Sequence, residues 1–166
     1  MFFATMPVIA IVAGSAALLP AAPAAQTAQD NASVWTCFDV GGVVMPVSDR
    51  EGHTITDGQW QCHVDSGPMA GGIATGTGVW EWEGTHGREV TFSIVVRKHG
   101  AVAVLRGIDG KMTMTLSEGK PIGLAGSGKY DYALATGPWA PLAGKTETWA
   151  SSYTSKTDFM VNSTLQ

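Results

Sequence analysis

The sequence predicts an all-β fold: a single antiparallel barrel of about eight strands, with a two-sheet sandwich as the alternative. Three observations carry this. Segments that alternate apolar and polar residues recur from Val34 to Val161, and period-two alternation gives a strand one buried and one wet face. The connections between these segments are mostly short and rich in glycine. No segment after the N-terminal apolar run has helical periodicity, so no helix is available to cover an open sheet. A meander of neighbouring hairpins closes most readily into a barrel, which also removes exposed edges.

Taken in order, the chain of 166 residues opens with the apolar run FFATMPVIAIVAGSAALL, followed by the small residues AAPAAQTA. Residues 1–25 read as a secretory signal, although no Lys or Arg precedes the apolar run. An uncleaved membrane anchor is the other reading, and Pro7, Pro20 and Pro23 weigh against it. Residues 26–33 are a polar linker, and residues 34–166 are the barrel domain. The expected location is secreted or periplasmic.

Val34 to Val40 is the first strand, with Val34, Thr36 and Phe38 on one face and Trp35, Cys37 and Asp39 on the other. Gly41-Gly42 is expected to break it, leaving Val43 to Val47 as a short edge strand that ends near Pro46. Ser48 to Gly58 reads as a loop and Gln59 to Val64 as a strand. Ser66 to Gly78, with five glycines, reads as a long flexible connection. Val79 to Glu83 sets Trp80 and Trp82 against Val79, Glu81 and Glu83. After a turn at Thr85-His86-Gly87, Arg88 to Lys98 sets Val90, Phe92, Ile94 and Val96 against Thr91, Ser93 and Val95. Ala101 to Arg106 follows, then a hairpin signal at Asp109-Gly110, then a strand carrying Met112, Met114 and Leu116. Gly119 to Gly128 reads as a loop. Tyr130, Tyr132 and Leu134 share a face of the next strand, Thr136 to Gly144 forms a corner, and Lys145 to Tyr153 and Lys156 to Val161 are the last strands.

Net charge is −4, without a cluster of Lys or Arg, which argues against nucleic acid and anionic membrane surfaces as partners. Cys37 and Cys62 are the only cysteines. In an exported chain an even count suggests a disulfide, here closing a loop of about 25 residues; two buried thiols are the other reading. No cofactor or metal is expected. Ser66 to Gly78 lacks the Gly-Lys-Ser/Thr of a phosphate loop, and His53, His63, His86 and His99 show no ligand spacing. A Cys37, Cys62 and His63 site is poor, because adjacent strand residues point to opposite faces.

Gly126-Ser127-Gly128-Lys129-Tyr130, followed by Ala135-Thr136-Gly137-Pro138-Trp139-Ala140-Pro141-Leu142-Ala143-Gly144, resembles the Gly-x-Gly-aromatic and Gly-Thr-Gly-x-aromatic-Ala pattern of the allene oxide cyclase and dirigent-like barrels. Thr75 to Gly78 and Gly84 fit earlier strands of the same repeat. Ala135 departs from the pattern at its first glycine, and no residue aligns with the family's catalytic acids. The resemblance implies an eight-stranded barrel, of lipocalin-like shape, whose interior holds a small hydrophobic molecule, in some members steering a cyclisation or coupling without a cofactor.

The aromatic and thioether side chains define the expected binding lining: Trp80, Trp82, Phe92, Met112, Met114, Tyr130 and Tyr132. Glu81, Glu83 and Asp131 are the catalytic candidates if the barrel is an enzyme, since carboxylates in a low-dielectric lumen can act as general acid and base or stabilise positive charge. If Trp80 and Trp82 fill the core, Glu81 and Glu83 are simply solvated. Three functional readings follow. The first is a barrel that binds a small apolar or aromatic ligand, the second a dirigent- or cyclase-like enzyme. The third is a structural or interaction protein of the cell envelope, in which a homo-oligomer or an envelope partner covers an outer face.

Overall fold

The computed structural model describes residues 31–166. The expected signal segment, and the expected linker up to residue 30, lie outside the described residues. The strand that follows begins at Ala32, two residues before the expected start.

Eight strands form one closed antiparallel barrel in simple sequential order, β1 to β8. They are β1 (Ala32–Pro46), β2 (His53–Val64), β3 (Ile73–Glu83), β4 (His86–Lys98), β5 (Ala101–Ser117), β6 (Lys120–Ala135), β7 (Thr146–Tyr153) and β8 (Asp158–Leu165). The barrel closes where β1 pairs with β8, from Ala32↔Thr164 to Phe38↔Asp158. The sandwich alternative is therefore set aside. A short 3₁₀ segment, Gly137–Leu142, buries Trp139 and Leu142 and lies against β5 and β6. It occupies the end of the barrel that also holds the β2–β3 and β4–β5 turns.

Several expected loops are strand, for two physical reasons. The first is the β-bulge, in which an extra residue bends the chain and switches the face of everything after it. Gly41-Gly42 does not break β1, because a register shift between Asp39 and Gly41 absorbs the irregularity. Asp109-Gly110 is not a hairpin but part of one long β5, with a register shift between Gly107 and Asp109. A shift where Trp80 pairs with Glu89 turns Val90 outward, 56% exposed, and Glu89 inward. A similar shift opposite Val104 and Leu105 turns Leu134 out of the expected face, 48% exposed. The turn expected at residues 85–87 falls at Gly84-Thr85 instead.

The second reason is that glycines were read as turns where they are cavities for large rings. Ser66 to Gly78 is only half connection, since β3 starts at Ile73, and Gly76 lies directly opposite Trp60. A methyl group at Gly76 would collide with the Trp60 indole. His53 to Gly58 also belongs to β2, and Gly119 to Gly128 is mostly β6.

The inner face is otherwise as the alternation predicts. Trp35, Cys37, Trp60, Cys62 and Val64 are all buried on β1 and β2. Cys37 and Cys62 sit directly opposite each other and form the disulfide. At the other end of the barrel the wall is uneven. β1 beyond Phe38 pairs only with β2, and β6 before Ala125 pairs only with β5. The short β7–β8 hairpin therefore lies in a notch between two free edges. Val40, Val43, Val44 and Met45 on one side and Ile122 on the other are exposed there.

The disulfide ties β1 to β2 across a separation of 25 residues, which by loop closure is worth about 3 kcal/mol. Replacing both Cys37 and Cys62 with Ala is expected to lower the urea unfolding free energy by about that amount, with far-UV circular dichroism of the folded state unchanged. An unchanged midpoint would sink this assignment of its role.

Candidate functional site

Inward side chains from all eight strands do not fill the barrel completely. They leave a cavity of about 80 Å³ within an open-mouthed empty space of about 570 Å³. Its lining is dominated by rings: Trp35, Trp60, Trp80 and Trp149, with Phe92, Phe159, Tyr130 and Tyr153. Cys62, Ile94, Met112, Ser151 and Val161 complete it. An apolar concave space with few polar groups is the ordinary form of a small-molecule site.

Phe92 organises these rings. It stacks on Trp60 at 5.3 Å between centroids, lies nearly parallel to Trp149 at 6.0 Å, and meets the edge of Trp80 at 6.4 Å. Tyr153 stacks on Phe159 at 4.9 Å. Offset and edge-on pairs of this kind add about 0.5–1.5 kcal/mol each beyond the area they bury, so the walls are held in place without a ligand.

Of the seven expected lining residues, Trp80, Phe92, Met112 and Tyr130 do line this cavity. Trp82 faces inward but lies nearer the mouth, where its Nε1–H donates to Thr56 Oγ1 at 2.9 Å. Met114 packs against the core without reaching the cavity. Tyr132 is fully buried beneath it. The lining rings outside that set, Trp35, Trp60, Trp149, Tyr153 and Phe159, are not singled out by the alternation of their own strands, because which faces meet in the middle depends on closure and not on any one strand.

The three expected catalytic carboxylates lie on the outer face, which corrects their assignment to a lumen. Glu81 is bound by His53 Nε2–H at 2.8 Å and by the Arg88 guanidinium. His53, buried by the β1–β2 turn, also donates from Nδ1 to Asp49. The Asp49 carboxylate, and then Glu81, raise the His53 pKa, and Glu81 in turn is held below the usual carboxylate range, chiefly by His53. Glu83 pairs with Arg50, and Asp131 pairs with Arg106 at 3.1 Å. The Arg50–Glu83 and Arg106–Asp131 pairs are solvated and worth little individually, whereas the His53 and Glu81 side chains, 5% and 19% exposed, are largely covered. Trp80 and Trp82 take the inward side, so Glu81 and Glu83 stand on the outer one.

Three other carboxyl groups point inward. Glu147 is 1% exposed and accepts hydrogen bonds from the Tyr132 hydroxyl and from Ser163 Oγ. Burial raises its pKa, against the pull of those donors. The Tyr130 hydroxyl is buried nearby with no partner of good geometry, and its pKa is pushed well up by burial and then by the Glu147 charge. Asp39 lies at the notch, where the Tyr153 hydroxyl donates to its Oδ2 at 2.9 Å; burial raises its pKa.

Glu89 is the third. The β4–β5 ladder stops at Arg88↔Lys111 and resumes at Ser93↔Arg106, and the Glu89 carboxyl occupies the gap. It fills the space that side chains at Gly107 and Gly110 would take, and it sits against Trp80. Its Oε2 is buried without a hydrogen-bond partner. Burial, and then the Asp109 charge, push its pKa up to about 7. Among the described residues no group of three His, Cys, Asp or Glu side chains is placed to hold a metal ion.

Comparison with family models, with curated proteins and with solved structures finds no match to this chain.

The Glu89 environment has a consequence for stability. Its pKa is higher in the folded chain than in the unfolded one, where a value near the ordinary 4.5 applies. Between those values the folded state binds the extra proton, so stability is greatest at the acid end of this window and falls as pH rises through about 7. Glu89→Gln is expected to flatten this fall, read as the urea midpoint at pH 5 and at pH 8. Equal slopes in the two proteins would show that the carboxyl is solvated.

Proposed function

We propose that this protein is an exported barrel that binds a small apolar or ring-bearing molecule in its interior. The observation that carries the reading is the open-mouthed, ring-walled cavity. Its size suits one or two rings rather than a long acyl chain. The Cys37–Cys62 disulfide is compatible with an oxidising compartment. A dirigent- or cyclase-like activity would have to draw on Asp39, Glu89 or Glu147, not on the outer carboxylates. The interaction reading draws on a different feature, the valine-rich free edge of β1; an unpaired apolar edge is a template for another strand.

The binding reading is tested by titrating the protein with naphthalene and tert-butylbenzene, following tryptophan emission and the melting temperature. Both are expected to bind. Ser151→Trp fills the cavity from β7 and is expected to weaken uptake at least tenfold. Thr148→Trp, on the outer face of the same strand, is expected to leave it unchanged. Absence of any response in the unmodified protein, or identical behaviour of the two variants, would overturn the proposal.

A further inference from the structure

We propose that the natural ligand is an organic cation: a compact ring-bearing or alkylated ammonium compound whose charge sits among the rings and faces Asp39. This rests on the interior-binding reading above and names the ligand class for that same cavity.

Four observations lead there. First, the cavity walls are mainly aromatic, and the face of an aromatic ring is the negative part of its quadrupole, which attracts a cation within about 6 Å of the centroid. Second, the Nε1 atoms of Trp35 and Trp149 are buried without partners and have no accessible surface. These two residues therefore present carbon, not N–H, to a ligand. Third, among the described residues no Lys, Arg or His lines the cavity. An anionic ligand would find no counter-charge there and would lose its hydration with no return.

Fourth, an acid stands at the rim. Asp39 is on the inner face of β1, directly opposite Trp60. The β1–β8 pairing ends one residue earlier, at Phe38↔Asp158, and the Asp39 backbone N–H closes the ladder onto Thr157 O at 2.9 Å. Its carboxylate is held by Tyr153, whose hydroxyl lies 3.1 and 2.9 Å from the two oxygens and whose ring lines the cavity. Asp39 is thus joined to the cavity through Tyr153, a residue of its wall, and through its place opposite Trp60. A neutral ligand of the same shape can use the rings but gains nothing from Asp39.

The test compares two molecules of the same shape, phenyltrimethylammonium and tert-butylbenzene, by calorimetric titration of the whole folded protein. The cation is expected to bind at least tenfold more tightly, although it is the harder of the two to strip of water. Asp39→Asn is expected to reduce cation affinity about tenfold and to leave tert-butylbenzene unchanged, whereas Tyr153→Phe, which keeps the ring, is expected to retain the preference. Equal binding of the two ligands, or tighter binding of the neutral one, overturns the cation assignment while leaving the cavity reading intact. A loss of both affinities in Asp39→Asn also overturns it, by showing that Asp39 only supports the wall. Binding of neither ligand to the unmodified protein removes the cavity reading and this one together. The wild-type ratio decides the matter even if Asp39→Asn does not fold.

Discussion

The pairing of β1 with β8 is the interaction on which the rest depends. Ala32 to Phe38 meets Thr164 to Asp158, joining the two ends of the described chain. Until those strands pair, the rings of Trp35, Trp149 and Phe159 belong to different parts of an open sheet and have no common interior. Once they pair, every inward side chain faces another, and the sheet edges disappear except at the notch. Because this contact spans nearly the full chain, it closes the longest loop in the fold, and such contacts form late and slowly. The hairpins from β2 to β7 need only local turns. The Cys37–Cys62 bridge lies beside the closing seam, so it holds β1 against β2 while β8 arrives.

Closure also explains what could and could not be read from the residues. Alternation correctly gave the inner face of β1, β2 and the end of β3, because Trp35, Cys37, Trp60, Cys62, Trp80 and Trp82 keep strict period two. It failed at Glu89, Val90 and Leu134, beside two of the bulges. Glu89 was missed and Val90 misplaced because one extra residue in β4 exchanges the two faces, and nothing in the local composition announces that exchange. Asp109-Gly110 has the chemistry of a tight turn, yet it serves a gap in the ladder where the Glu89 carboxyl needs room. Gly76 was read as flexible chain because its reason for being glycine, the Trp60 ring, lies on another strand. Glu147 carried one faint sign, an acidic residue on the same alternation as Trp149, but only the positions of Tyr132 and Ser163 make it a buried, satisfied acid.

The outer cluster of Asp49, His53, Glu81 and Arg88 is the counterpoint to that interior. It has the titratable groups that usually draw attention in a sequence, and they neutralise one another at the surface. What it fixes is position: His53 is gripped by a turn residue and by β3, so the β1–β2 turn is pinned down over the neighbouring strand.

Among the described residues the three inward acids meet burial in three ways. Glu147 is stabilised by donors that no solvent reaches. Glu89 has no partner for its buried Oε2, and burial and then the Asp109 charge push its pKa up to about 7. Asp39, at the notch, has the Tyr153 hydroxyl as its donor and is only partly buried. A negative charge costs least where donors and some hydration survive.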